Sequence, residues 1–367
     1  MALNNVQEID LAILVGVNVT EAGLDELAAL CLTCNIKDIA RVVQNRKDID
    51  VTYYIGKGKV DEIKQLVDKT KATCVVFDVE LSGSKVRNLE EVLGVQVLDR
   101  SKVILDIFAQ RATSNEGKMQ VELAQLKYNL PRLSGKSGIS MGLLKKDGGV
   151  YTEDIMAKMK SSVGMRGPGE KKLELDKRTI RDQITELERK LAKVAANRDL
   201  TRRGASKSGK KRVCIVGYTN SGKSTLLNTI AKAGVVAEDK LFATLDSKTA
   251  NVYIDGVQIL LTDTVGFINK LPHEFIRAFE STLDEARLAD LLLHVVDIAN
   301  PDYPNQIKVV NEVLKKIGAA EVPTIMVYNK NDIASNAPKD GVSISAKTNT
   351  GIDELKKKIL AHMHKLI

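Results

Sequence analysis

The stretch from Arg212 to Ile230, RVCIVGYTNSGKSTLLNTI, restricts the possible folds more than any other part of this 367-residue chain. An apolar run leads into Gly-x-x-x-x-Gly-Lys-Ser, with Gly217, Gly222, Lys223 and Ser224 at the defining positions, and a helical pattern follows. Glycines at this spacing let backbone N–H groups close around phosphate oxygens at a helix N-terminus. The loop needs a strand before it and a helix after it. From Val213 onward, strand and helix signals alternate, which predicts an α/β domain with a doubly wound, mainly parallel sheet.

Three more segments follow in order. VQILLTDTVG is an apolar run ending in Asp263, placed to hold Mg²⁺ through water, with Thr264, Val265 and Gly266 behind it; the Gly266 N–H can face a γ-phosphate. TIMVYNKND ends in Asn329, Lys330, Asn331 and Asp332. The Asp332 carboxylate can accept two hydrogen bonds from N1–H and the exocyclic amine of guanine, a donor pair that adenine lacks, while Lys330 would lie over the base plane. SISAKT contributes Ser345, Ala346 and Lys347, and the Ala346 N–H can meet guanine O6. Within the glycine loop, Tyr218, Thr219, Asn220 and Ser221 complete the phosphate cradle, Lys223 reaches the β- and γ-phosphates, and the Ser224 hydroxyl is a Mg²⁺ ligand. Between the loop and Asp263 lies KLFATLDS, with Phe242, Ala243, Thr244, Leu245 and Asp246. Thr244 is the candidate second Mg²⁺ ligand, in a loop that orders with GTP, and Thr249 is a weaker competitor. The expected catalytic set is Lys223, Thr244, Gly266 and Asn220.

The N-terminal part reads differently. LAILVGVNV, TCVVFDV and VQVLD have strand character, whereas DEIKQLVDKT and SKVRNLEEVLG have helical spacing, so residues 1–114 are expected to form an α/β domain. Near residue 115 the pattern changes. Met119, Leu123, Leu126 and Leu130, and then Ile180, Ile184, Leu187, Leu191 and Val194, are spaced alternately three and four residues apart, which predicts an antiparallel helical hairpin over 115–204 with a long tip, 131–169, rich in Gly, Ser and Lys. The stretch Arg198–Arg212 carries seven basic residues and one acidic residue and reads as a tether, with 205–211 as the linker and 212–367 as the nucleotide domain. YIGKGKV is rich in Gly and Lys, lacks the phosphate-loop spacing, and is expected to turn a strand into a helix.

Composition narrows the partners. The net charge of +8 suits an RNA or phosphate-rich partner, while aromatics at 4% and the absence of Trp offer no stacking platform for single-stranded RNA. No run approaches the roughly 20 apolar residues of a membrane span. The first residues lack the basic region of a signal peptide, which makes the cytoplasm the expected address. Cys31 and Cys34 form a lone C-x-x-C with no second pair to complete a zinc site, and their spacing fits the buried face of the helix LDELAALCLTC.

At this point the chain resembles a known family. GYTNSGKSTLLN, LFATLD, DTVGFINKLPHEF with AFESTLDEARLADLLLHVVD, and IGKGKV with VILDIFAQRA, VELAQLKYNLPRL and RGPGE are similar to segments of the HflX GTPases. The resemblance implies an N-terminal α/β domain with a helical hairpin, then a GTPase domain. It also implies binding of GTP and GDP, association with the large (50S) ribosomal subunit through 23S rRNA and ribosomal proteins, and splitting or rescue of stalled ribosomes under stress by a protein that is monomeric when free. Three departures stand out: a longer excursion between LPRL and RGPGE, Lys171 and Lys172 where Thr and Gln are usual, and an end just after the last helix of the GTPase domain, where some members carry an extra domain.

Phe267 occupies the position of the water-orienting glutamine of Ras-type GTPases, and a phenyl ring cannot hold water. Relatives within the superfamily place K⁺ at the position of Asn220, so a bound K⁺ could supply the missing positive charge. The ribosome ordering both switch loops is a second source of activation, and His273 is a third. Phe267 would then pack at the start of a helix carrying Phe275, Phe279 and Leu283. Two further readings compete with the ribosome-splitting enzyme: a GTP-gated factor in large-subunit biogenesis, and an RNA-remodelling protein whose N-terminal domain has its own nucleotide activity.

Overall fold

The computed structural model describes residues 9–133, 169–206, 210–231, 242, 247–270, 280–334 and 338–364. The chain divides into two compact units, Met1–Gln110 with Val121–Glu186, and Arg111–Gln120 with Leu187–Ile367.

The first unit is built on four parallel strands in the order β2-β1-β3-β4, where β1 is Asp10–Val17, β2 Ile36–Gln44, β3 Cys74–Phe77 and β4 Gln96–Asp99. Helices α1 (Asp25–Thr33), α2 (Lys57–Thr70), α3 (Gly83–Leu93) and α4 (Arg100–Arg111) connect and follow the strands. Parallel strands are covered on both faces and read as continuous apolar runs, which is why β1 and β3 were visible from composition. β2, IKDIARVVQ, was not, because charges interrupt it on an edge strand whose residues are mostly half-buried. α2 begins at Lys57, so Lys57-Gly58-Lys59-Val60 is its first helical turn, and what precedes Gly56 is a turn closed by an Asp50–Tyr54 bridge rather than a strand.

Cys31 is buried on α1, but Cys34 lies one residue beyond the helix end, half-buried, with its thiol toward Val103 O at 3.7 Å. Burial pushes the Cys34 thiol up to about 12, and Cys31 higher still. Among the described residues no group of three His, Cys, Asp or Glu is placed to hold a metal.

Helix α5 is Asn115–Asn129 and α6 is Gly169–Ser206. On α6, Ile180 and Leu187 of the expected stripe are buried, whereas Ile184, Leu191 and Val194 are half-buried. α5 does not. Gln120, Val121, Leu123, Ala124, Gln125, Leu126 and Tyr128 are all buried, so it is enclosed on most sides rather than along one seam. Glu116, near the start of α5, pairs with Arg198, late in α6, as an antiparallel arrangement requires. The tether reading of Arg198–Arg212 is corrected: residues through Ser206 are helical, and β5 starts at Lys211. Arg, Leu, Ala and Lys are good helix formers, and a charged run without Pro does not stop a helix. At the far end of α5, Asp99 accepts hydrogen bonds from the Tyr128 hydroxyl (2.8 Å), Arg132 (3.3 Å) and the Leu81 and Lys102 amides (3.1 and 2.8 Å), which fixes the chain as it leaves α5. The tip residues 134–168 lie outside the described residues, as do the side chains of Lys171 and Lys172.

Among the described residues the second unit carries six strands in the order β10-β9-β8-β5-β7-β6: β5 Lys211–Gly217, β6 Lys248–Ile254, β7 Val257–Asp263, β8 Leu291–Asp297, β9 Thr324–Asn329 and β10 Val342–Ser343. All pairs are parallel except β6 with β7. Among the described residues, its sheet is flanked by helices α7 (Lys223–Ala231), α8 (Glu280–Arg287), α9 (Tyr303–Lys316) and α10 (Ile352–His364). One core gathers Ile215, Leu227, Leu261, Leu293, Val295, Val327 and Ile359 between α7, α10 and the sheet. From β5 the chain crosses to the edge strand β6 and returns through β7 on one side, then passes outward through β8, β9 and β10 on the other, so the carboxyl ends of β5 and β8 form the topological switch point where ligands of open α/β sheets bind. No helix among the described residues is long and apolar enough to cross a membrane.

Candidate functional site

The glycine loop leaves β5 at Gly217 and enters α7 at Lys223. Asn220 takes φ 59, in the left-handed region that Asn tolerates. Gly222 is required outright: at φ 92 an added Cβ would stand 2.2 Å from Asn329 Nδ2. Lys223 is buried and donates to Tyr218 O at 2.7 Å, across the mouth of its own loop. Burial pulls its amine down to about 8, and the Asp263 carboxylate only partly restores it. Two loop hydroxyls, Thr219 Oγ1 and Ser221 Oγ, are buried without a hydrogen-bond partner in the described structure. A cradle of this kind, with a buried cation and unsatisfied donors, fits a polyanion.

Strand β7 brings Asp263, fully buried, to Ser224, whose hydroxyl donates to Asp263 Oδ2 at 2.6 Å. A hydroxyl and a carboxylate in contact are the hard-oxygen donors Mg²⁺ prefers, so the pair fits that ion. Thr249 is corrected as a competing ligand. It sits in the β6–β7 ladder opposite Thr262, and the two hydroxyls share a hydrogen bond of 2.9 Å. Thr244 lies outside the described residues, with Ala243, Leu245, Asp246 and His273; Phe242 is described and buried.

After Asp263 the chain runs directly onto the glycine loop. Thr264 donates through its hydroxyl to Ile215 O at 2.8 Å. Phe267 N–H donates to Gly217 O (3.1 Å) and Phe267 O accepts from Thr219 N–H (2.8 Å), a short parallel bridge, while Asn269 N–H donates to the Tyr218 hydroxyl (2.7 Å). Gly266 is threaded so close that a Cβ there would lie 2.9 Å from Lys223 Nζ. The Phe267 side chain is 1% exposed, so it is a core group, and Leu283 on α8 is also buried; Phe275 and Phe279 lie outside the described residues.

The segments expected to read the base join the same loop. Asn329 donates through Nδ2 to Ser221 O (2.9 Å) and accepts at Oδ1 from Ala346 N–H (3.0 Å), linking β9, the phosphate loop and the Ser345–Lys347 turn. Thr229 of α7 ties the same turn through Ala346 O at 2.8 Å. Asp332 is exposed, and its carboxyl is held below the usual carboxylate range by a hydrogen bond with Ser345 and then by the charges of Lys347 and Lys330. Asn331 is anchored by its amide on Ile344 O at 3.1 Å. Sequence reasoning missed His294, buried on β8 beneath the loop; burial first, and then Lys223, depresses its imidazole to about 4, so it is neutral at pH 7. It sits inside an apolar run, LLLHVVD, where a lone His carries no motif signal.

Three family models match the chain in succession: the GTP-binding GTPase N-terminal region over residues 21–109, the GTP-binding GTPase middle region over 111–204, and the 50S ribosome-binding GTPase over 212–330. The chain is 46% identical over 339 residues to the GTPase HflX of Caldanaerobacter subterraneus subsp. tengcongensis, covering 91% of this chain and 76% of that protein. It is 40% identical over 344 residues to the GTPase HflX of Escherichia coli K12, covering 90% and 77%. Among solved structures, a GTP-binding protein of the archaeon Sulfolobus solfataricus in complex with GDP aligns over 98% of this chain and 100% of that one, at 26% identity and a TM-score of 0.48.

Proposed function

The chain belongs to the HflX family of GTPases and hydrolyses GTP, and we propose that it does so as a cytoplasmic factor that, monomeric when free, associates with the large ribosomal subunit and splits or rescues stalled ribosomes. The observation that carries the nucleotide part is the convergence on one loop of Ser224 with Asp263, Gly266 with Lys223, and Asn329 with Ser221 and Ala346. The ribosomal part is supported by the match to the 50S ribosome-binding GTPase model and by the net charge of +8.

In this reading Lys223 exchanges the Tyr218 carbonyl for β- and γ-phosphate oxygens. Gly266 offers its N–H to the γ-phosphate once the Phe267 bridge to the loop adjusts. Asp332 and the Ala346 N–H select guanine. Ser224 and Thr244 would hold Mg²⁺ directly, and Asp263 through water. The ion supplies neutralisation of charge on the β- and γ-phosphates when bound. Asn220 would ligate an activating K⁺. With Phe267 turned into the core, no side chain at that position orients water, so hydrolysis is slow in the free protein and faster when the ribosome orders the loops around the phosphate. We propose the division into a domain over 1–114, a hairpin over 115–204 with its tip on the subunit, a junction over 205–211 that takes in the end of α6 and the start of β5, and a GTPase domain over 212–367.

The burial of Phe267 also favours a second reading: a GTP-gated factor in large-subunit biogenesis, whose turnover is incidental. Sedimentation with GTP, GDP and a non-hydrolysable analogue separates the two. Splitting of stalled ribosomes in the GTP state is the expected result. Binding confined to assembly intermediates would favour the second reading, and no binding to any subunit would sink both.

A further inference from the structure

The lysine of the guanine segment has an ion-pair partner that no sequence motif points to. Lys330 Nζ lies 2.7 Å from Asp297 Oδ2. Asp297 ends β8 and pairs with Asn329 across the β8–β9 ladder. Its other oxygen accepts the Ala299 N–H at 3.0 Å, and the next amide, Ile298 N–H, donates to Asn329 O at 3.2 Å. The carboxylate is therefore anchored by backbone on its own side. The lysine is constrained as well, since Lys330 holds φ 68, a conformation that fixes the direction in which its side chain leaves the chain. The two side chains are 27% and 16% exposed, so solvent screens the pair less than it would at the open surface.

We infer that Asp297 is a positioning residue for guanine-nucleotide recognition: it draws the Lys330 ammonium to the end of β8, so that the aliphatic stem lies ready along the face of the base. The inference deepens the proposed guanine site and rests on that reading of Asn329–Asp332. Two physical arguments carry it. A lysine stem that stacks on a base must give up rotamer freedom, and a lysine already held by its counter-ion has lost that freedom before the ligand arrives. The second concerns Asp332, which must keep its carboxylate open to accept from the base. The Lys330 charge already acts on Asp332. Without Asp297, the ammonium would be free to turn toward the Asp332 carboxylate and compete with the base for it. Asp297 thus prepares the stacking lysine and protects the selecting carboxylate.

The test uses the full chain and the variants D297N, K330M and D297N/K330M. Asn keeps the size of the side chain and an oxygen for the Ala299 N–H while removing the charge. GDP and GTP affinities are measured by displacement of a fluorescent GDP, beside kcat, KM and the melting temperature. D297N is expected to weaken both nucleotides by roughly tenfold and to raise KM for GTP in step, with kcat within about twofold of wild type and an unchanged melting temperature. The preference for GTP over ATP should narrow. The double variant should bind no more weakly than K330M, because the two residues act as one unit. Wild-type affinity in D297N, additive losses in the double variant, or a fall in kcat at constant KM would each overturn the inference. If D297N lowers the melting temperature, D297S provides the same comparison. A wild-type chain that binds ATP as tightly as GTP would instead remove the guanine reading on which the inference rests.

Discussion

Lys223 shows how much one buried side chain can report. Its amine is depressed to about 8 from an ordinary 10.5 because burial disfavours the charged form. The unfolded chain therefore binds the extra proton between those values. This group costs folding stability at pH below about 8, and the cost fades as pH rises toward 10.5. A bound triphosphate favours the charged amine and raises its pKa, so GTP binding should take up protons above pH 8. Calorimetry at pH 8.5 in buffers of different ionisation enthalpy should detect an uptake that vanishes in Lys223→Ala, which should also bind GTP about 100-fold more weakly. An equal heat in all buffers would contradict the assignment. Asp332 offers a second test at this scale. Asp332→Asn replaces an acceptor with a donor, which suits the 2-oxo group of xanthine. Nucleotide preference measured by competition should move from GTP toward XTP, and a variant that still prefers GTP would refute the contact.

At the scale of elements, the bridge between the phosphate loop and the segment after β7 decides what Phe267 can do. Its amide and carbonyl both bond to the loop and its ring is buried, so glutamine at this position would point into the core. Phe267→Gln is expected to destabilise the second unit by ~2–4 kcal/mol, from lost packing and an unsatisfied amide, without accelerating hydrolysis. Urea unfolding and single-turnover assays check both halves, and a faster, stable variant would show that the ring is dispensable. The phosphate loop itself carries the proposed K⁺ ligand, Asn220, in a left-handed turn. Rates in potassium and sodium at matched ionic strength should differ severalfold in favour of potassium, whereas equal rates would remove K⁺ from the mechanism.

At the scale of the whole molecule, the question is where the partner is engaged. Residues 134–165 are rich in glycine and carry more lysines than acidic residues, a composition suited to contact with RNA phosphates. Replacing them with a short Gly/Ser loop should leave GTP affinity unchanged and abolish or weaken cosedimentation with large subunits across a salt series. Wild-type sedimentation and splitting by that variant would move the contact to the N-terminal α/β domain.

Local chemistry was readable along the chain wherever it is periodic or confined to short spacing. The apolar runs of β1, β3, β4, β5, β7 and β9 and the glycine loop could be read in order, because parallel strands are buried on both faces and a phosphate loop needs fixed neighbours. The helical continuation through Ser206 was hidden by a composition that suits helix and tether equally. β2 was hidden because an edge strand tolerates charge. The motifs implied that Ser224 and Asp263 share one ion and that the Asn329–Asp332 and Ser345–Lys347 segments flank one base, but not the direct pairings between side chains far apart in sequence. Ser224 meets Asp263, Asn329 bridges Ser221 and Ala346, Asp297 holds Lys330, and Phe267 clips onto Gly217 only because the strand order β9-β8-β5-β7 sets those carboxyl ends side by side. Side-chain type can be read from a letter, but burial, charge pairing and the pKa of Lys223 depend on what the fold packs around it.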